Sequence, residues 1–136
     1  MAQFKLNNIL IPEELPLIAL KNTVLFPKVV IPLIVQRPKS VGALENAMNL
    51  DRLVFFVTQK NIEDNVTMDD FFKVGTVGRI VSVFKLPDGS SKVDVEGLAR
   101  ARISDLVKED PFFVVKTSPI VVRNLSAENL EEKALT

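Results

Sequence analysis

Cysteine and histidine are both absent from this chain of 136 residues. Without cysteine it has no disulfide framework, no thiol nucleophile and no thiolate metal site. Without histidine it lacks the commonest metal ligand and the side chain best suited to proton transfer near neutral pH. Charge of one sign is not in excess either. The 17 basic residues are balanced by 17 acidic ones, so no global field attracts a polyanion and nucleic acid is disfavoured as a partner. Arg100 and Arg102 alternate along a predicted strand and read as a solvated face. No run approaches the ~18 apolar residues that span a bilayer. The amino terminus, MAQFKLNNILIPEELP, has no basic stretch leading into an apolar core and a small-residue cleavage site. These absences predict a cytoplasmic protein with no membrane partner. Glycine is scarce, and none of Gly42, Gly75, Gly78, Gly89 and Gly97 precedes a lysine. A phosphate-binding loop needs that pair, because backbone amides and the lysine together hold the phosphates.

What is present suits one domain with one core. At 47% apolar content, a chain of this length buries roughly two thirds of its unfolded surface. Residues 1–14 are mixed in character and read as a loose lead-in, with Ile9, Leu10 and Ile11 able to dock on the body. Strands are predicted over 15–20 and 29–35, joined by a loop over 22–28 that contains Pro27. The second strand carries Pro32, which cannot donate to a ladder and so belongs at an edge or a bulge. Pro38 suits the first turn of a helix. Val41, Leu44, Ala47 and Met48 then share one helical face, predicting a helix over 38–49 that packs on the core. LVFFVT, residues 53–58, is a short continuous apolar run and reads as the central strand. Residues 60–70 are polar and acidic, with Glu63, Asp64, Asp69 and Asp70. They lack the glycine and the bidentate glutamate of a calcium loop and read as a surface loop.

Residues 72–103, FKVGTVGRIVSVFKLPDGSSKVDVEGLARARI, carry the strongest signal. Pro87-Asp88-Gly89 is a turn: proline presets one backbone angle and glycine accepts the positive φ that closes it. The arm after it, Lys92 to Glu96, alternates charged and β-branched residues, as a strand with one wet face does. The arm before it is apolar at both parities, which predicts burial on both faces for part of its length. Glycines at 75, 78 and 97 mark bulges or bends, and a bent strand runs through 97 to 103. A strand at 112–116 follows, with a continuation over 120–123. Ser126 then reads as an N-cap, with Leu125 and Leu130 as a staple and Glu128, Glu131 and Glu132 in the first turns. That helix has about ten residues, too few to be stable alone.

VGTVGRI, the LPDGS turn and VEGLARARI, together with LPLIALKNTVLFPKVVIPLIVQRPKS upstream, resemble the amino-terminal domain of the Lon family of ATP-dependent proteases. The resemblance runs in family order from about residue 15 to about residue 120. It implies a mainly β fold with one helix, an α+β domain in which about six strands form a twisted, barrel-like (PUA-like) sheet. It also implies a division into a lead-in (1–14), the Lon amino-terminal domain (15–123) and the start of a truncated helical segment (124–136), so that the chain is a fragment. In the resembled protease an AAA+ module binds ATP and magnesium and a Ser-Lys module cleaves peptides. The fragment is thus expected to have no catalytic residue, cofactor or metal of its own. Ser90, Ser91 and Lys92 lie together, but neighbours on a strand face opposite ways and an exposed lysine is a poor base.

The function implied is recognition of unfolded or damaged protein substrates, with assistance to assembly of a homo-oligomer, a hexamer in the whole protease. Two alternatives stay open: a purely structural oligomerisation module, and a stand-alone Lon-domain binding protein. Recognition with little sequence preference favours exposed apolar patches over polar pockets. The candidates for a substrate or self-association surface are Leu25, Phe26 and Pro27 in the first loop, Phe71 and Phe72 before the hairpin, and Leu86 and Pro87 at its turn. For each of them burial in the core is the competing reading.

Overall fold

A computed structural model describes residues 3–6, 9–21, 23–59 and 73–120. The described elements are β1 (Gln3–Leu6), β2 (Ile9–Pro12), β3 (Glu14–Leu20), β4 (Val30–Val35), α1 (Pro38–Met48), β5 (Leu53–Thr58), β6 (Val74–Lys85), β7 (Ser91–Lys108) and β8 (Val114–Pro119). The segment before β3 is not loose where it is described, and Ile11 docks on the body as expected. β1 and β2 pair as an antiparallel hairpin, and Ile11 is fully buried in the main core.

The other six strands form one sheet in the order β4-β7-β6-β5-β3-β8, and β8 also pairs with β7. β3, β5, β6, β7 and β8 therefore close into a ring. All the pairings are antiparallel except β3 with β5. Closure depends on β7, whose 18 residues serve two neighbours in turn. Its first part, Ser91 to Glu96, pairs with β4; its later part, from Ala101 on, pairs with β8. The change of partner falls where Val77 opposes Ala99 but Gly78 opposes Gly97, leaving Leu98 as an extra residue. A bulge of this kind bends a strand and strengthens its twist, so the bent strand expected here is one continuous element.

Alternation along β3 and β5 divides the interior in two. Leu15, Leu17, Leu53, Phe55 and Val57 join Val77, Leu98, Ala101 and Val115 in a core drawn from all five strands of the ring. The opposite faces of the same strands, Ile18, Leu20, Val54 and Phe56, meet Ala43, Leu44 and Ala47 of α1 together with Val93 and Val95. Strand β5 is thus buried on both sides, which is why its sequence is a continuous apolar run. α1 starts at Pro38 as expected, with no side-chain cap on its first turn. β4 is the sheet edge, paired on one side only among the described residues. The Gly97 amide donates to the Val29 carbonyl at 2.9 Å. Alternation along the ladder then puts Pro32, opposite Asp94, at a non-bonded position, where its missing N–H faces the open edge.

Candidate functional site

Residues 23–29 form a strap that crosses three successive strands, and each strand holds it by one anchor. From β5 the Thr58 hydroxyl donates to the Thr23 carbonyl at 2.8 Å. From β6 the Thr76 hydroxyl donates to the Leu25 carbonyl at 2.6 Å. From β7, Gly97 accepts from the Lys28 amide at 2.8 Å and donates to Val29 at 2.9 Å. The close approach at the third anchor requires glycine. A Cβ at residue 97 would meet the Phe26 carbonyl oxygen and lie 2.8 Å from its carbon.

This path sorts the side chains of the strap. Leu25 is 2% exposed and belongs to the core with Phe56 and Leu44. Its place on the candidate surface is therefore corrected: it is the plug that seats the strap. Phe26, next in sequence, faces solvent with 55% exposure, and Val24 and Val29 are exposed beside it. Pro27 is half-buried.

The second predicted patch lies at the hairpin turn. Gly89 has φ +93°, its amide donates to the Leu86 carbonyl at 3.1 Å, and Leu86 in turn donates to Ser90 at 2.9 Å. Pro87 is exposed and Leu86 half-buried. The Asp88 carboxylate accepts from both the hydroxyl (2.6 Å) and the amide (2.9 Å) of Ser90. The Ser90 side chain, foremost, and then its backbone hold the Asp88 carboxyl below its ordinary pKa. The Ser90 hydroxyl is thus committed to the turn, while Lys92 is exposed. Phe71 and Phe72 lie outside the described residues, as do the acidic segment 60–70 and the predicted elements from 121 onward.

The strap and the turn do not come together. They lie at opposite ends of β4, whose six residues separate them by roughly 20 Å at the usual rise of a strand. Between them the outer face of β4, β7 and β6 supplies apolar residues that the sequence reading missed. Across this face Ile34 is opposite Lys92, which is opposite Phe84. Val30, Ile34, Val81 and Phe84 are exposed, Phe84 by 68%. Period 2 assigns Phe84 to the same face as buried Ile80. The pairing shows why that fails: Ile80 opposes Val95 but Ser82 opposes Asp94, so Val81 is an extra residue and every side chain after it changes face. Nothing in the local sequence marks this bulge, because it contains no glycine. The outward parity of Val30, Pro32 and Ile34 was legible once β4 was known to be an edge.

A cleft of about 970 Å³ opens between the ends of β3 and β4, the start of α1 and the hairpin turn. Arg37 bridges its wall, donating to the Gln59 amide oxygen at 2.6 Å and to the Ala19 carbonyl at 2.8 Å. These bonds tie the start of the helix to the ends of β3 and β5. Among the described residues no cluster of acidic side chains is arranged to hold a metal ion, and no helix is long and apolar enough to cross a membrane.

The family model for the substrate-binding domain of the ATP-dependent protease La (LON) matches residues 14–136. The chain belongs to this family. Similar relatives include the Lon protease of Geobacter metallireducens, 40% identical over 126 residues, and that of Vibrio parahaemolyticus, 44% identical over 119 residues. The matches cover 92% and 87% of this chain but 15% of each relative. The chain thus spans a small part of the length of the Lon proteases it matches. Among solved structures, the N-terminal domain of the Mycobacterium avium complex Lon protease superposes with a TM-score of 0.65 at 17% identity, covering 85% of this chain and 59% of that one. A Lon N-terminal domain protein from Xanthomonas campestris gives 0.61 at 22%, covering 85% and 66%. At those identities the likeness concerns the fold, a mainly β Lon N-terminal domain with one helix among the described residues. The VEGL run of the Lon resemblance also acquires a physical role, since its glycine is the third anchor of the strap.

Proposed function

We propose that this domain engages unfolded or damaged protein chains on behalf of an ATP-dependent Lon-type serine protease and contributes no chemistry of its own. ATP, magnesium and the Ser-Lys pair belong, on this reading, to the ATPase and protease modules of the whole protein. The observation that carries the proposal is the exposed Phe26 ring beside the buried Leu25 plug. A large aromatic held in water by a pinned backbone is apolar surface that the fold does not use internally. Unfolded chains display apolar segments of many sequences, and such a surface takes them without demanding a particular polar pattern. Val24 and Val29 widen the patch, and the outer face of β4 with Ile34 and Phe84 extends it toward the Leu86-Pro87 turn.

The test replaces Phe26 and Val24 by serine in the full-length Lon-type protease. Degradation of an unfolded protein weakens while cleavage of a short peptide is spared; equal loss of both refutes the assignment. Assembly into a homo-oligomer is the second reading, and the observation that favours it is the open edge of β4. Pro32 removes a donor from the middle of that edge, which limits pairing between copies. Sedimentation of this chain at micromolar concentration as a β4-paired dimer would favour the structural role over substrate capture.

A further inference from the structure

We infer that Thr76 is a positioning residue for substrate capture: its hydroxyl holds the strap at the height and register that present Phe26 to an incoming chain. The inference rests on the assignment of Phe26 to the substrate surface. Thr76 is 1% exposed and lies 51 positions from Leu25 in sequence, yet donates to the Leu25 carbonyl at 2.6 Å. The bond is buried, so the carbonyl has no water to turn to if the hydroxyl is removed. It also lies midway along the strap, between the Thr58 anchor at Thr23 and the Gly97 anchor at Lys28 and Val29.

The distribution of anchors decides which part of the molecule responds. The ring strands are held by ladders on both sides and by two apolar cores. The strap has three backbone tethers and a single buried plug, Leu25. A carbonyl left unsatisfied by loss of the Thr76 hydroxyl is relieved most easily by lifting the strap toward water, a local opening that leaves the ring intact. Phe26 follows Leu25 directly, so lifting releases the Phe26 side chain from a fixed pose into many. A surface that must be reordered on binding loses affinity even though its composition is unchanged.

The test measures binding of a fluorescein-labelled, reduced and carboxymethylated protein to the 136-residue chain by anisotropy, with Thr76→Val, Thr76→Ser and Phe26→Ser compared with the wild type. Valine keeps the shape and removes the hydroxyl; serine keeps the hydroxyl. Thr76→Val weakens binding roughly three- to tenfold, the equivalent of one net hydrogen bond. Thr76→Ser stays within about twofold of wild type. Amide exchange at Lys28, which donates to Gly97, accelerates in Thr76→Val and not in Thr76→Ser. Wild-type binding by Thr76→Val alongside loss in Phe26→Ser overturns the positioning role and leaves the surface assignment standing. Equal weakening by both Thr76 variants also overturns it, since packing and not the hydroxyl is then responsible. Wild-type binding by Phe26→Ser refutes the surface assignment itself. If Thr76→Val does not fold, Thr76→Ala replaces it in the same comparison with Thr76→Ser, and binding by Thr76→Ala equal to that of Thr76→Ser overturns the inference.

Discussion

Gly97→Ala adds one methyl group where the strap backbone touches β7. The residue is not in the left-handed region, which among the described glycines holds only Gly89, so its cost comes from contact alone. The new carbon would lie 2.8 Å from the Phe26 carbonyl carbon and 3.2 Å from the Pro27 Cα, against the ~3.5–4.0 Å of an ordinary carbon contact. Both neighbours are backbone, so the strap must retreat by a large fraction of an ångström. Overpacking of this kind costs about 1–3 kcal/mol. The two bonds between Gly97 and Lys28 and Val29 stretch as the strap retreats, at about 0.5–1.5 kcal/mol each if lost. Reduced freedom of the unfolded chain returns about 0.4–1 kcal/mol. With mid-range values and one of the two bonds lost, the net expectation is a loss of about 2–3 kcal/mol. The chain has no tryptophan or tyrosine, so urea unfolding is followed by far-ultraviolet circular dichroism. With m near ~1.5–2 kcal/mol per molar, the midpoint falls by about 1–2 M at unchanged m. Gly89→Ala is the comparison: it has φ +93° and no atom within 4 Å of the added carbon, so it carries only left-handed strain of about 1 kcal/mol. If Gly97→Ala costs no more than Gly89→Ala, the strap does not lie against β7 as described.

The two neighbours Leu25 and Phe26 should separate cleanly: Leu25→Ala loses about 2–5 kcal/mol of stability as a buried plug, whereas Phe26→Ser changes it by less than about 1 kcal/mol, both read by thermal unfolding. Phe84→Lys is expected to stay within about 0.5 kcal/mol of wild type, because the Val81 bulge turns Phe84 to solvent; a loss above about 1.5 kcal/mol in urea would place the ring in the core instead. The Asp88 carboxyl, held low chiefly by the Ser90 hydroxyl, has a folded pKa below its unfolded value. Its contribution to turn stability is therefore present above the unfolded pKa and is lost as pH falls through the folded one. Chemical shifts of the Ser90 amide across acid pH should report this titration, and Asp88→Asn should abolish it.

Elements with a self-contained physical cause were legible from residue order. Pro87-Asp88-Gly89 makes a turn wherever it is placed, because its backbone preferences are local. LVFFVT reads as a central strand from its continuous apolar run, and β5 has the predicted bounds. Pro38 marks the first turn of α1. The candidate surface was legible only in outline, since exposed and buried apolar residues look alike in a sequence: Leu25 and Phe26 are adjacent and opposite in role. Their difference is set by Thr58, Thr76 and Gly97, which lie far away along the chain.

The sequence by itself determined the family, through its motifs, and it also determined the strands of the six-stranded sheet, the helix α1 and the turn, because these elements depend on period or backbone preference within a short window. The tertiary structure decided the rest. Ring closure required β7 to change partner at a bulge, and a second bulge at Val81 turned Phe84 outward by shifting the register one residue. The three-point strap made a plug of Leu25 and a display of Phe26. Each of these is a property of pairing between distant segments, where one extra residue or one missing Cβ changes which side chain meets water.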